Sequence, residues 1–519
     1  MSTVTNHHPL YSLYRPTWEQ ALDVYDGGGG FLDPSRPYLW AHPREWLDHS
    51  IKSDTGTIAN PNPSQPSPKL KTRRKMARYE NVAEIILGAA IGALFRQPST
   101  RTFGTESAGE KARPIQQWWA NADGRGTAID QSMRDAWTAA AVLGHSVLFL
   151  DKPRDQARTM ADAALPMVRA YTALDLIDWL VDDKGELVAV KLLEAAPRAS
   201  FDQRVIAAQK RVRVITTEQW TLYDEAGAKV DEDEHGMGRL PVALLYGRRR
   251  PLTPVIGKSI MGDPLLYIDL YNLHSEVREL LRNQTFAVLN VPIGKDGNVE
   301  EEQAKIGQQG GTANLLFSSE AISYVSPEGT NVQVYHEHID RLVRSIYRLS
   351  AAPWEGDSKD AESADSRLIK RDEQQAVLSK YAGELQRTED TLTELFYRAM
   401  YGDRWERERD TEQPVVRYPE TFEPPNVVAV ATEAAEALGL DLGATATKEL
   451  KKRAVRLILP GLKDETLKAV DAEIDGQEVK TAAERQAEML EMTRMQFGQR
   501  EQEPEEEPPP AEGEGEEGG

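Results

Sequence analysis

Few places in this chain gather residue types that could do chemistry. Gly257-Lys258-Ser259 has the ending of a phosphate-cradling loop, in which backbone amides and a lysine hold a nucleotide. That loop needs a further glycine five positions before the Gly-Lys pair, where this chain has Leu252, and Thr253-Pro254 removes a backbone donor. The segment reads instead as a turn leading into a helix. Gly27 to Gly30 is a second glycine run, but Phe31 to Pro37 after it offers no helix start, so it reads as a flexible surface loop. His336 and His338 are two apart and could share a strand face, yet no third ligand follows at a regular spacing. Asp231-Glu232-Asp233-Glu234 lacks the ligand order of a calcium loop and sits where a hairpin turn is expected. No serine nucleophile arrangement stands out, and the chain has no cysteine. These readings point away from catalysis: no catalytic residue, metal or cofactor is expected.

The bulk composition bounds the class. The chain has 519 residues with 40% hydrophobic and 28% charged, a globular balance large enough for three or four packed units. The mean hydropathy is −0.54, and no apolar run reaches the roughly 18 residues that a membrane helix needs. The opening MSTVTNHHPLYSLY has neither the basic flank nor the apolar stretch of a signal peptide. Net charge is −21, and nine glutamates between Glu501 and Gly519 leave −12 on the rest. That acidity argues against a broad face that grips nucleic acid by neutralising phosphates. It is compatible with a wall along which DNA slides.

The elements that would position any site follow from periodicity. Residues 26–37 and 54–69 read as loops around a short first helix. Helical spacing covers Arg73 to Phe95 and Gln131 to Leu143. Strand periodicity runs from Ser146 to Trp220, with turns at Asp183-Lys184-Gly185 and Glu225-Ala226-Gly227, and ends at an edge strand after Pro241. Asp263-Pro264 opens a long helix with an apolar stripe of Leu266, Leu270, Leu273, Val277, Leu280 and Leu281. A glycine-rich excursion with strand candidates ANLLF, ISYV and NVQVY follows, and a helix resumes at His338. In that returning helix Ile339, Leu342, Val343, Ile346 and Leu349 form one apolar face, with Arg341, Arg344 and Arg348 almost opposite. Then come the polar acidic stretch GDSKDAESADS and a long helix from about Arg367 to Met400, with Leu378, Leu385, Leu392 and Ala399 in sevens. The expected fold class is α+β, mainly helical, with two long helices flanking a small excursion: an assembly device more than a catalytic one.

At this point the sequence resembles the portal proteins of tailed bacteriophages. The residues that carry the resemblance are Pro37-Tyr38-Leu39 with His42-Pro43-Arg44-Glu45, Arg74 to Asn81, and Phe95-Arg96-Gln97-Pro98. Tyr171, Leu174 to Ile177 and Trp179 continue it, followed by Leu240-Pro241-Val242, Gly257-Lys258-Ser259, and Tyr271-Asn272 with Ser275. Each motif is short; their order and spacing make the likeness, and the C-terminal third matches in pattern only. Another structural virion protein, such as an adaptor or minor head protein, is the alternative, but it would lack the helix, excursion, helix order.

The resemblance implies an N-terminal arm (1–69), a wing (70–262) completed by a long helix and return strand (367–426), and stem helices at 263–289 and 335–350. It further implies a clip (290–334), a tunnel loop (351–366), a crown (427–495) and an acidic, disordered tail (496–519). Such subunits form rings of twelve at one capsid vertex of the virion after assembly in the host cytoplasm. Implied partners are further copies of the chain, the terminase large subunit, the head-tail adaptor, the major capsid or scaffolding protein, and double-stranded DNA in the channel. Within the tunnel loop Glu355, Asp357, Asp360, Glu362 and Asp365, with Ser358 and Lys359 among them, would form an acidic collar around DNA. Arg341, Arg344 and Arg348 would form a basic belt on the stem.

Overall fold

The computed structural model describes residues 6–32, 38–41, 68–103, 113–152, 164–195, 210–285, 288–292, 315–318, 323–325, 330–350, 364–412, 414–420, 422, 444–458 and 464–476. The chain divides into two compact units, Met1–Phe422 and Glu423–Gly519. The first begins with α1 (Pro9–Asp26), α2 (Pro68–Met76), α3 (Val82–Leu94), β1 (Thr100–Phe103), α4 (Arg113–Ala120) and α5 (Ile129–Leu143). Strands β2 (His145–Asp151), β3 (Met167–Thr172), β4 (Leu176–Val181), β5 (Leu187–Ala195), β6 (Lys210–Ile215), β7 (Gln219–Tyr223), β8 (Lys229–Glu234) and β9 (Val242–Tyr246) follow. Next come α6 (Pro264–Thr285), β10 (Val288–Pro292), β11 (Leu315–Ser318), β12 (Ser323–Val325) and α7 (Thr330–Ser350). The unit closes with α8 (Ala364–Tyr401), α9 (Trp405–Glu412) and β13 (Pro414–Arg417). In the second unit α10 (Ala444–Ile458) and α11 (Asp464–Gly476) pack together through Lys452–Asp475 and Arg456–Asp471, each at 2.7 Å.

The fold is α+β and mainly helical, as the sequence leads one to expect. The strands between residues 145 and 246 fall into two sheets. β3-β2-β9 is one antiparallel sheet, and β4-β5-β6-β7-β8 is a second. β2 is the middle strand of the first, with all its residues buried, because α5 and α8 both pack on that sheet. β9 is an edge strand beginning just after Pro241, whose missing N–H the ladder does not need. The heptad of α8 works as its spacing predicts: Leu378, Leu385, Leu392 and Ala399 are all buried. Tyr381 and Phe396 meet Trp137 of α5 and Trp118 of α4 with ring centroids 5.4 and 5.0 Å apart.

Six local expectations give way to tertiary contacts. The pattern from Arg73 to Phe95 is two helices, because Asn81 caps α3 by accepting from the Glu84 N–H at 3.0 Å, while Tyr79 turns aside to donate to the Val24 carbonyl. The eighteen-residue α1 precedes the glycine run, and Gly27, at φ +65°, ends it. That run is therefore not simply a flexible surface loop: Gly30 is buried and Phe31 stacks on Tyr79 at 3.9 Å. Asp231 to Glu234 form most of β8 rather than a hairpin turn. NVQVY is the start of α7 rather than a strand, so His336 and His338 point about 200° apart at 100° per residue. The helix α8 starts at Ala364, which places Asp365 in its first turn rather than in a loop. Finally Leu349 and Leu281, assigned to apolar faces, are 48% and 45% exposed, being at the margins of their stripes.

One charged network ties distant segments together. Arg101 on β1 donates to both carboxylate oxygens of Glu389 on α8, at 2.6 and 3.0 Å, and to Asp130 on α5 at 2.9 Å. Tyr418, just past β13, donates to the same Glu389 at 2.6 Å. Glu389 has no exposed surface. Burial works against the Arg101 charge, but the hydrogen bonds to Glu389 and Asp130 outweigh it and hold its pKa above the ordinary value. Burial, then the adjacent Glu389 carboxylate, pushes the Tyr418 hydroxyl well up. Arg101→Met leaves a buried carboxylate with one hydroxyl, and denaturant unfolding should show a loss of about 3–5 kcal/mol. The double variant Arg101→Met with Glu389→Met should recover much of that loss; equal destabilisation by both would contradict the account.

Candidate functional site on the paired helices

α6 and α7 pack against each other, and at their common end lies a crossing of three backbones. Gly144 ends α5 at φ +102°, Gly247 follows β9, and Gly257 precedes α6. A Cβ on Gly257 would lie 1.9 Å from the Gly144 carbonyl oxygen, and one on Gly247 would lie 2.5 Å from that of Ala140. Only hydrogen fits. Main-chain bonds use this closeness: Gly247 N–H to the Gly144 carbonyl at 2.9 Å, and Ile260 N–H to the Ala141 carbonyl at 3.0 Å. Arg248 and Lys258 exchange bonds in both directions at 3.0 and 2.8 Å. Lys258 thus belongs to a small ribbon, and Ser259 donates to the Ala141 carbonyl at 3.0 Å. The phosphate-loop likeness of Gly257-Lys258-Ser259 is a joint, not a nucleotide site.

Above the joint, Asp263 caps α6 by accepting from the Leu265 N–H at 3.0 Å. The Met261 carbonyl accepts from Tyr267 at 3.0 Å and from Ser350, the last residue of α7, at 3.1 Å. Burial pushes the Tyr267 hydroxyl up to about 12, so it stays a donor. Ile339 and Ile346 of α7 and Leu270 and Val277 of α6 are buried, with Leu342, Val343, Leu266 and Leu273 packed against the core. The opposite side of α6 is anchored by Asn272, which accepts from the Trp40 N–H at 2.8 Å and donates to the Tyr38 carbonyl at 2.9 Å. Between the helices in the chain, β10 pairs in parallel with β11 and antiparallel with β12.

The structure brings Arg341, Arg344 and Arg348 onto one exposed face of α7, and no described residue pairs with their guanidinium groups. Glu355, Asp357, Ser358, Lys359, Asp360 and Glu362 lie outside the described residues, as does the side chain of Asp365. The tail from 496 to 519 lies outside them as well. Among the described residues there is no cluster of three metal-ligating side chains, and no helix long and apolar enough to cross a membrane.

Sequence reasoning passed over Arg248, Arg249 and Arg250, although three consecutive arginines at a strand end are a visible signal. Arg248 donates to the Leu349 carbonyl at 3.2 Å and to Tyr381 of α8 at 3.3 Å, tying the end of α7 to α8. Arg249 pairs with Glu384 at 2.7 Å, and Arg250 donates to Tyr14 of α1 at 3.0 Å. The buried His145 also sits in the joint, its Nδ1 accepting from the Gly257 N–H at 3.4 Å and its Nε2 without a hydrogen-bond partner among the described residues. Burial, with Arg250 nearby, lowers its pKa to about 3.

A family profile described as a domain of unknown function, DUF4055, matches residues 265–398, from the first turn of α6 to near the end of α8. No curated protein matches the chain. Among solved structures, a chain from the neck of an empty GTA particle computed with C6 symmetry is similar with a TM-score of 0.40 at 11% identity, covering 78% of this chain and 94% of that one. A chain from the neck of a native GTA particle computed with C12 symmetry has a TM-score of 0.36 at 12% identity, covering 75% of this chain and 90% of that one.

Two outcomes test the joint. Gly257→Ala should cost roughly 2–4 kcal/mol or prevent folding, because the backbones must part. Gly88→Ala, on the exposed side of α3 with open space at its Cβ, should instead be neutral or stabilise by up to about 1 kcal/mol. Comparable losses in denaturant unfolding would refute the crossing. The depressed pKa of His145 makes the unfolded chain bind the extra proton between pH 6.5 and about 3. Stability should therefore fall as pH drops through that window, and His145→Gln should flatten the slope between pH 6.5 and 4.5, above most carboxylate titration.

Proposed function

We propose that this chain is one subunit of a ring-shaped conduit for double-stranded DNA, the portal at a capsid vertex of a tailed bacteriophage. The observation that carries the reading is the antiparallel α6–α7 pair, bearing a three-stranded sheet between its helices and rooted in the α/β body by a backbone joint. An antiparallel helix pair suits a staves-in-a-barrel wall. In this reading α6 and α7 are the stem, and β10 to β12 belong to the clip that meets the terminase large subunit during packaging and the head-tail adaptor afterwards. The β2–β9 body with α8 is the wing, α10 and α11 belong to the crown, and the major capsid or scaffolding protein meets the outer rim. The acidic segment from Glu355 to Glu362 is the collar around DNA, and twelve copies close the ring. The chemistry is passive: acidity repels phosphates and lets the duplex slide.

The exposed stripe of Arg341, Arg344 and Arg348 is the ring's basic belt, able to meet acidic groups of the motor or phosphates through many weak contacts at once. Electron microscopy of the purified protein should show rings with a central hole; monomers at every concentration would overturn the reading. The triple variant with glutamine at 341, 344 and 348 should still form rings, since the apolar face is untouched. Packaging by those rings should weaken increasingly as salt is raised. Normal packaging across the salt range would reduce the stripe to a solvated face.

A further inference from the structure

Where α2 meets α6 the surface turns cationic, against the acidic trend of the chain. Residues 68–78, PKLKTRRKMAR, contain six basic residues and no acidic one. Arg73 among them serves the fold: it is buried, donates to the Trp40 carbonyl and faces Glu279 at 3.8 Å. Lys71 and Lys75, one turn apart, and Arg78 are exposed, as are Arg278 and Arg282, one turn apart on α6.

The end of α2 fixes the three exposed arginines. Arg278 donates to the Met76 carbonyl at 3.0 Å, and Arg282 reaches the Met76 sulfur at 3.4 Å. Arg78 donates to the carbonyls of Lys75 and Ala77, both at 2.9 Å. Carbonyls at a helix end lack partners within the helix, so capping accounts for where these arginines sit. It does not account for Lys71 and Lys75, which take part in no such contact among the described residues. Nor does it cancel any charge, because the acceptors are neutral and leave most of each guanidinium's five N–H groups unused. No described carboxylate pairs with any of the five cations. Those on the same segments face other groups: Glu276 meets Tyr335, Glu279 meets Arg73, and Glu80 faces His274 at 3.7 Å.

Five uncancelled cations therefore share one face of a chain whose net charge is −21. Such a molecule repels a polyanion over most of its surface and draws it to that face. A run of Lys and Arg along a helix is the footprint of phosphate binding. Duplex DNA carries one negative charge per roughly 1.7 Å of its axis, so cations four residues, about 6 Å, apart on a helix each find a phosphate within reach. Guanidinium groups already held in place lose little freedom on binding and offer paired donors to phosphate oxygens.

We propose that the α2–α6 face binds the phosphate backbone of duplex DNA without regard to base sequence. Phosphate contacts carry no sequence information, and binding made of them alone lets a duplex slide. The inference rests on the conduit reading for the identity of the polyanion, and adds the residues that hold it.

The test is fluorescence anisotropy of a short labelled DNA duplex with the full chain over a range of salt. One variant combines Lys71→Gln, Lys75→Gln and Arg282→Gln, which leaves the caps from Arg78 and Arg278 in place. A control combines Lys184→Gln, Lys380→Gln and Arg404→Gln, removing equal charge from three separate exposed positions. Circular dichroism and thermal unfolding confirm that both fold. The face variant should bind the duplex about tenfold or more weakly at low salt, and the slope of log affinity against log salt should shrink by about 2–3, while the control stays within about threefold of the original. No duplex binding by the original chain, unchanged binding by the face variant, or an equal loss in the control overturns the inference. So does a face variant that keeps the duplex but loses poly-glutamate, which assigns the surface to an acidic protein. Electron microscopy of the same samples reads the conduit separately: rings without this DNA contact sink the inference alone, and DNA contact without rings sinks the conduit alone.

Discussion

The crossing of Gly144, Gly247 and Gly257 is the constraint on which the rest of the first unit depends. The end of α5 at Gly144 and the two turns at Gly247 and Gly257, more than a hundred residues further on, approach to backbone contact, which no side chain permits, and exchange main-chain hydrogen bonds across the gap. The consequence is directional. α5 is part of the packed core, so whatever is bonded to its C-terminus inherits that rigidity, and α6 is launched from there. The carbonyl of Met261 then receives both Tyr267 of α6 and Ser350 of α7, so the outgoing and returning helices share one anchor. The start of α6 is held firmly because the joint is main chain, whose geometry has few soft degrees of freedom.

Charge is handled in two distinct ways. Inside, it is cancelled: Arg101 faces Glu389 and Asp130, and Arg213 faces Glu194 at 2.5 Å while its guanidinium covers Trp220 at 4.2 Å. The first joins segments 288 residues apart, the second the neighbouring strands β6 and β5, and the cost of both is burial of ions that water would otherwise solvate. Outside, some cations also meet carboxylates, as Arg249 meets Glu384 at 2.7 Å, while others are held by neutral carbonyls, as Arg278 is by that of Met76, or stand on an open helix face.

How much of this was legible in the sequence follows from which forces are local. Period-seven leucines in α8, the Asp263-Pro264 start of α6 and the turns at Gly185 and Gly227 are read correctly because spacing and capping are short-range. The break at Tyr79 was not legible, since its hydroxyl bonds a residue 55 positions away. NVQVY has strand propensity but becomes helix, because Val332 and Tyr335 find the core at helical spacing. Of the candidate site residues, the three arginines of α7 stand on one face as their spacing requires. Gly257 was seen as a turn glycine, but its closeness to Gly144 depends on a contact more than a hundred residues distant.

The long helix α8 has an unequal footing along its length. It runs for 38 residues, about 57 Å; among those whose burial is described, residues 372–377 are exposed or half-buried and the first buried one is Leu378. The packed part is held by the core, and the described turn before it is held by two outside contacts: Val377 lies against the core, and Gln375 accepts from the Phe422 N–H at 3.0 Å. Because the Phe422 N–H belongs to the segment just past β13, that one bond makes the end of the return strand a brace for the helix, so loosening at Phe422 would be felt at Gln375 first.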